Sequence, residues 1–357
     1  MKIGIDAKWI YSGPVSGKIV VKNIIKNFPR NNKIYIFVKK KEFDQAKLDY
    51  GKKFRVISVP FFLNNAVTNF FILPFYINKY HLNCMIYQTF GSIFYKNKSA
   101  IYVHDLLFID YPKFFSIAEK IYFFPILHIL KFAKLIFTVS NTEKKRISKY
   151  LKYNTNIKVI TNGINHLDNL KAIKPNKFNK IKNYILYVGR FNDRKNINVL
   201  LNSFKYFQKK NLKLVLVGNK SHKFISLKKS INKNLIQSNV KIINNATDNN
   251  VKWLYKNADV FCFPSFAEGF GLPPIEAMSN GCPVVVSNIL VHKEVCGDAA
   301  LYFDPNDKYD LANNINRFLN DKKLKSKFID KGLKRSKKFD WAKSSEKIEK
   351  NLKKYFA

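Results

Sequence analysis

Residues 260–288 read VFCFPSFAEGFGLPPIEAMSNGCPVVVSN, and the order of residue types in this stretch sets the fold class. VFCFPS and CPVVVSN are short β-branched and aromatic runs of strand length. Between them AEGFGLPP can continue neither as strand nor as helix, because Gly269, Gly271, Pro273 and Pro274 break both. A helix can start at Pro273 or Pro274, where the missing N–H costs nothing, and stop near Asn280-Gly281. Strand, loop, helix and strand in that order make the repeating unit of a parallel sheet. Glu268 then falls on the loop and Glu276 in the first helical turn, so the two acids cannot stack on one helix face.

Working outward, the same alternation runs through most of the chain. The first half offers KIGIDA, KIYIFVKK, FRVISV, CMIYQTF, AIYVHD, KLIFTVS and IKVITNG as strands. The stretch HLDNLKAIKPNKFNKIKN (166–183) is polar, Lys-rich and without clear period. It predicts an interdomain linker, set at 169–183. Alternation then resumes with YILYVGR, LKLVLVGN, VKIINNA, DVFCFPS, CPVVVSN and ALYFD. A chain of 357 residues suits two domains of middling size. The expectation is therefore an α/β protein with one Rossmann-like domain over 1–168 and a second over 184–338.

Composition narrows the functional classes. A hydrophobic fraction of 46% with 25% charged residues is that of a globular chain and excludes wholesale disorder. The net charge of +40 raises the question of nucleic acid, but Lys is spread along the whole length rather than gathered in a groove. No nucleic-acid partner is expected, and an anionic membrane surface fits such a charge better. Cys84, Cys262, Cys282 and Cys296 show neither paired C-x-x-C spacing nor a disulfide framework. With no secretory pattern in MKIGIDAKWI, the reading is a cytoplasmic protein, on or off the inner face of the membrane. Two apolar stretches bear on that. VISVPFFLNNAVTNFFILPFYIN (56–78) has spanning length but carries Pro60, Pro74 and several Asn. FFSIAEKIYFFPILHILKFAKLIF (114–137) is aromatic and punctuated by Lys, which suits either a helix in the headgroup plane or a core helix.

In open α/β sheets, ligands bind beyond the carboxyl ends of strands. YILYVGRFNDRKN places Arg190 directly after a strand, with Arg194, Lys195 and a candidate helix N-cap, Asn196, close behind. Such cations can hold a diphosphate, although taken alone Arg194 and Lys195 read equally well as solvated charges. The Gly-rich loop opening a helix offers backbone N–H groups to an anion. Carboxylates on either side can each accept two hydroxyl hydrogen bonds, as a sugar and a ribose would donate. Singly, Glu276 reads as a helix-dipole acid and Glu268 as an ordinary loop acid; together with Arg190 and Lys195 they point to a nucleotide-sugar site. The chain contains no D-x-D dyad and its histidines are scattered, so neither a metal nor another cofactor is expected.

PSFAEGFGLPPIEAMSNGCPVVVSN resembles the E-x7-E signature of the family-4 retaining glycosyltransferases, and LYVGRFNDRKNINVLLNSF that family's other donor-site segment. The likeness extends to MKIGIDAKWI, YVHDLLFIDYP, VSNTEKKRI, VITNGI and CGDAALYFDP, and to FDWAKSSEKIEKNLKKYF as the last helix. It implies the GT-B fold, two Rossmann-like domains facing each other across a cleft, with the helix of 339–357 crossing back to the first domain. By position, the resemblance implies Arg190 and Lys195 on the donor diphosphate, Glu276 on ribose hydroxyls and Glu268 on the transferred sugar. Backbone groups at Phe270, Gly271 and Leu272 would touch sugar and phosphate, and His104 would face the sugar. The family's glycine loop after the first strand is altered here. YSGPVSGKIVVKN keeps Gly13 and Gly17 but has Lys18-Ile19 where a second close glycine and an Arg belong. The activity implied is retaining transfer of a hexose from a nucleotide sugar to a glycan or lipid-linked acceptor in surface polysaccharide synthesis. GDP-mannose is the favoured donor, followed by dTDP- and UDP-sugars. An epimerase on the same fold is disfavoured by the intact glutamate pair. A catalytically silent relative serving as a basic membrane- or nucleic-acid-binding module is disfavoured by the joint presence of Glu268, Glu276, Arg190 and Lys195.

Overall fold

Every run picked out above as a strand forms one in the computed structural model, which describes residues 1–60, 65–151, 156–176, 178, 181–218, 231 and 237–357. The strands are β1 (Lys2–Asp6), β2 (Lys33–Lys39), β3 (Arg55–Val59), β4 (Cys84–Gln88), β5 (Ser99–Val103), β6 (Leu135–Thr138) and β7 (Ile157–Val159). After them come β8 (Tyr184–Val188), β9 (Lys213–Val217), β10 (Val240–Ile243), β11 (Val260–Phe263), β12 (Val284–Ser287) and β13 (Leu301–Phe303). The chain divides into two units, Met1–Gly163 with Asp340–Ala357, and Ile164–Phe339.

The first unit holds a sheet of order β3-β2-β1-β4-β5-β6-β7 and the second one of order β10-β9-β8-β11-β12-β13. Each described pairing is parallel. β4, β5 and β11 are buried along their whole length, which is why they read as continuous apolar runs rather than as alternation. Strand order reverses beside β1 in one sheet and beside β8 in the other. In open α/β sheets such a switch point, beyond the carboxyl ends, is where ligands bind.

The helices used below are α1 (Val15–Asn27), α2 (Asn141–Tyr150), α3 (Asp248–Asn257), α4 (Leu272–Ser279), α5 (Leu290–Cys296) and α6 (Trp341–Phe356). The last of them belongs to the first unit. Its Ser345 Oγ donates to Ile24 O of α1 at 3.1 Å, and Asp340 caps it by accepting from Lys343 N. Trp341 is fully buried against Gly163, where a Cβ would collide with the Trp341 backbone, so only glycine fits.

Two local expectations need correction. α4 begins at Leu272, because Gly271 in a left-handed conformation (φ +91°) turns the chain directly into the helix. Glu276 is consequently the fifth helical residue and lies in the second turn, not the first, so a helix-dipole role does not account for it. Asn196 does precede the helix Ile197–Ser203 as its N-cap, but in a left-handed conformation (φ 51°) and without a side-chain hydrogen bond to that helix.

No helix among the described residues is long and apolar enough to cross a membrane. The 56–78 stretch is strand β3 followed by short helical pieces over 65–79, with residues 61–64 outside the described set. The expected linker likewise contains residues 177, 179 and 180, which lie outside it. The 114–137 stretch forms helices Ile117–Phe123 and Pro125–Leu130 and strand β6.

Candidate active site

In the second unit, the turn after β8 is shaped by Asn192. Its side chain accepts from Lys195 N at 3.1 Å and closes one short helical turn over Asp193–Lys195. Asn196 then fixes the exit, donating from Nδ2 to Pro305 O at 2.7 Å. This geometry points Lys195 inward over the Phe263 ring, 4.6 Å from its centroid, at the end of β11. Lys195 Nζ donates to Glu268 Oε1 at 2.5 Å. Arg194, which sequence reasoning left open as a solvated charge, clamps the same loop three times. Its carbonyl accepts from Phe266 N at 2.9 Å, and its Nη1 donates to Ala267 O at 2.5 Å and to Glu268 Oε2 at 3.2 Å. The loops following two adjacent strands are thereby tied together by one carboxylate and two cations.

The charges of this cluster do not cancel. Burial pushes the Glu268 carboxyl up, but Lys195 and Arg194 outweigh it and hold the group down at about 2. Burial likewise lowers Lys195, and although Glu268 supports its charge, Arg194 and the exposed Arg190 oppose it, leaving it at about 8. At neutral pH the carboxylate and the ammonium are both charged, and the surplus is positive. Arg190 is the outermost member, its carbonyl accepting from the Tyr187 hydroxyl at 2.8 Å.

The loop continues through Gly269, Phe270, Gly271 and Leu272, all buried. The Phe270 ring meets Phe339 edge-on at 5.6 Å, which leaves the backbone as the part of this loop suited to a ligand. A Cβ on Gly271 would stand 3.5 Å from the His292 ring, and at φ +91° any side chain would be strained. His292, on α5, was not singled out from the sequence. The Ser287 hydroxyl donates to Ser265 O at 2.5 Å, so His292 Nδ1 is the donor to Ser287 O at 2.9 Å. Among the described residues its Nε2 lone pair is then a buried acceptor without a protein partner, on a ring that burial keeps neutral, with its pKa lowered to about 4.

Glu276 is buried with partners of its own. Tyr255 Oη, from α3, donates to its Oε2 at 3.0 Å, and His166 Nε2 stands 3.4 Å from Oε1. Neither partner was legible: Tyr255 reads as a core aromatic on an amphipathic helix, and His166 as part of a polar stretch.

The first unit carries the remaining expected residues. Gly13 and Gly17 flank the Trp9 ring so closely that a Cβ on either would meet it at 2.6 or 2.8 Å. Lys18 N–H donates to Pro14 O inside the first turn of α1. His104 follows β5, with Nε2 3.1 Å from Gln88 Oε1 and its ring between Trp9 and Tyr102. Burial, reinforced by Lys8, holds it neutral, at about 4. Behind it lies a fully buried ion pair, Lys8 Nζ to Asp6 Oδ2 at 2.5 Å, that sequence reasoning did not find. Among the described residues no group of three or more His, Cys, Asp or Glu is gathered as a metal site.

The sequence profile of the family "Glycosyl transferases group 1" matches residues 168–335, which contain the Lys195–Glu268 cluster and Glu276. The O-antigen chain mannosyltransferase RfbU of Salmonella typhimurium is 32% identical over 276 residues, covering 73% of this chain and 76% of that protein. The chain belongs to the group 1 glycosyl transferases. Similarity also extends to E. coli O-antigen chain mannosyltransferase B, 30% identical over 250 residues, 67% of this chain and 65% of the relative. Among solved structures, sucrose-phosphate synthase from Thermosynechococcus elongatus superposes with TM-score 0.77 at 18% identity, covering 100% of this chain and 99% of that one. At that identity the likeness speaks to the fold, and it agrees with the two Rossmann-like sheets of a GT-B glycosyltransferase.

Proposed function

We propose that this group 1 glycosyl transferase moves a mannosyl residue, with retention, from GDP-mannose to a lipid-linked acceptor of a surface polysaccharide. The observation that carries the reading is the positively charged Arg194–Lys195–Glu268 cluster beside the Gly271–Leu272 turn. A departing nucleoside diphosphate develops negative charge as the anomeric C–O bond breaks. Cations that are already fixed and partly desolvated stabilise that charge more than they stabilise the bound donor. In this reading Lys195 and Arg190 take the diphosphate, assisted by the backbone of Phe270, Gly271 and Leu272 at the start of α4. Glu268, oriented by Arg194, accepts hydroxyls of the transferred sugar, and Glu276 accepts from the ribose. His104 is the first unit's candidate for a sugar hydroxyl, and Gly13 and Gly17 shape the loop around Trp9. The cations supply the leaving-group stabilisation that a divalent ion would otherwise provide, so the reaction is read as metal-independent.

The similarity to RfbU, named as an O-antigen chain mannosyltransferase, supports mannose and a polysaccharide product. The dTDP- and UDP-sugars are the competing donors; a solved relative of the fold, HepE from Anabaena, is described in complex with UDP-glucose. A cytoplasmic site of action at the inner membrane face follows from a lipid-linked acceptor.

Thermal stabilisation by GDP, UDP and dTDP, followed by donor hydrolysis with the matching sugar nucleotides, tests the reading, since a ligand bound only to the folded state raises the midpoint. GDP is expected to stabilise most and GDP-mannose to be cleaved. Stabilisation by no nucleoside diphosphate would instead support the binding-module alternative.

A further inference from the structure

We infer that the second unit carries a glycan-binding groove, between the helix Lys308–Asn320 and the segment 206–208, that holds a run of sugar units beside the reaction site rather than in it. Asp307 starts that helix by accepting from Tyr309 N at 2.7 Å and Asp310 N at 3.1 Å. Leu311, Ala312, Ile315 and Phe318 bury one of its faces. The opposite face presents Tyr309, Asn313, Arg317 and Asn320 at spacings of four, four and three, a polar stripe roughly 16 Å long at 1.5 Å per residue.

The segment 206–208 supplies the other wall, and Asn316 fastens it. Asn316 Oδ1 accepts from Gln208 N at 3.1 Å and its Nδ2 donates to Tyr206 O at 2.9 Å. Asn320 Nδ2 donates to Gln208 Oε1 at 2.6 Å, which sets the remaining amino group of Gln208 and the carbonyl oxygen of Asn320 next to each other. The groove so formed measures about 620 Å³, with Asn313, Arg317 and Asp321 also on its walls. At one end stand two tyrosines. The rings of Tyr206 and the 55%-exposed Tyr309 lie 4.8 Å apart, and Lys205 and Lys308 stand over them, each ammonium 5.1 Å from a ring centroid.

The chemistry of the walls identifies the ligand. In a chain with 64 basic residues, the groove is lined among the described residues by one cation, Arg317, and one anion, Asp321, and by no lysine. A polyanion would meet Asp321 with a single guanidinium to offset it, and an apolar partner would find Leu324 as its one aliphatic contact. Sugar rings fit both features: neighbouring hydroxyls donate and accept as paired carboxamides do, and the C–H face of a pyranose packs on an aromatic ring. The groove also lies close to the donor site in the chain's hydrogen bonding, since Pro305, four residues before Tyr309, accepts from Asn196, the residue after Lys195. A glycan held there stays at high local concentration beside that site. This last consequence rests on the polysaccharide reading above; the binding itself does not.

The test is saturation-transfer NMR titration of the full chain with tetrasaccharides of mannose, glucose and galactose, with inorganic polyphosphate as competitor, beside donor hydrolysis. At least one tetrasaccharide is expected to bind, its monosaccharide about tenfold more weakly or worse, because one ring reaches only part of the stripe. Tyr309→Ala combined with Asn313→Ala should weaken tetrasaccharide binding about tenfold or more. Both side chains are exposed, so the double variant should melt with the parent and hydrolyse donor at the parent's rate. Binding of no tetrasaccharide, or binding unchanged in the double variant, would overturn the inference. So would displacement by polyphosphate together with loss of binding in Lys205→Ala, Lys308→Ala, which would make this an anion site. Absence of donor hydrolysis in a chain whose tetrasaccharide binding still depends on Tyr309 would sink the transferase reading and leave the groove standing.

Discussion

Each unit holds a lysine–carboxylate pair 2.5 Å apart just past the carboxyl edge of its sheet, and the two pairs are built for opposite ends. In the first unit, Asp6 is saturated from within. Oδ2 accepts from Lys8, from Asn69 Nδ2 at 3.0 Å and from Gln88 N at 3.2 Å, and Lys8 also donates to Gln88 O. Both side chains are wholly buried. In the second unit, Glu268 meets two cations whose combined charge it cannot balance, and Lys195 and Glu268 keep 11% and 9% of their side-chain surface. A sealed pair whose carboxylate is saturated from within can only hold the fold together. A pair with surplus charge at a glycine-lined turn still has an anion to collect.

The widest separation of the two should come from removing each lysine. Lys8→Met leaves Asp6 buried without its counter-charge, a loss of about 3–5 kcal/mol of stability, read by denaturant titration. Lys195→Met leaves Glu268 paired with Arg194, so the fold should lose much less. Donor turnover should instead fall by about 10²–10³-fold, the scale for removing one fixed transition-state donor. If Lys195→Met destabilises as much as Lys8→Met while the residual turnover of its folded fraction is normal, the two pairs are the same kind of object and the contrast fails.

How far this contrast could be seen in the sequence is instructive. The thirteen strands and the loop at 269–274 were legible because buried parallel strands are written as continuous apolar runs and because glycine and proline punctuate that loop. The Asp6–Lys8 pair was invisible: a Lys two residues after an Asp in a chain with 64 basic residues carries no sign of burial. Arg194 was left open between a diphosphate ligand and a solvated charge because its value lies in reaching Ala267 and Glu268, more than 70 residues away. Glu276 was placed one turn too early, since the helix start depended on the φ of Gly271, which sequence composition does not state. The apolar stretch at 114–137 was seen, but whether it faced the core or solvent is decided by which side of its helices meets the sheet.

A smaller effect is expected at Glu276, which sharpens the comparison from within the second unit. With Tyr255 and His166 as its neighbours it resembles the sealed pair in burial but is paired with no lysine among the described residues. Glu276→Ala should weaken nucleoside diphosphate binding about ten- to hundredfold, the range for losing a hydrogen bond to a charged acceptor. Calorimetric titration with GDP reads this directly. A dissociation constant like that of the parent would move Glu276 to the structural side of the comparison, with Asp6.

The smallest effect is a matter of pH, and its sign distinguishes a binding lysine from a folding one. Lys195 stands at about 8 in the folded chain, below its ordinary value of 10.5, so between those limits the unfolded chain holds more protons than the folded one. As far as this group is concerned, stability therefore rises with pH through that window. Grip on the donor diphosphate runs the other way, because the neutral amine has no charge to offer. Turnover at subsaturating donor should fall about tenfold per pH unit above about 8, with no parallel loss of thermal stability. Glu268, held near 2, stays ionised throughout and contributes no limb there. Lys195→Arg, which cannot lose its charge in this range, should flatten the alkaline limb even if its maximal rate is lower. An alkaline limb that survives in Lys195→Arg assigns the titration to another group and removes Lys195 from the diphosphate.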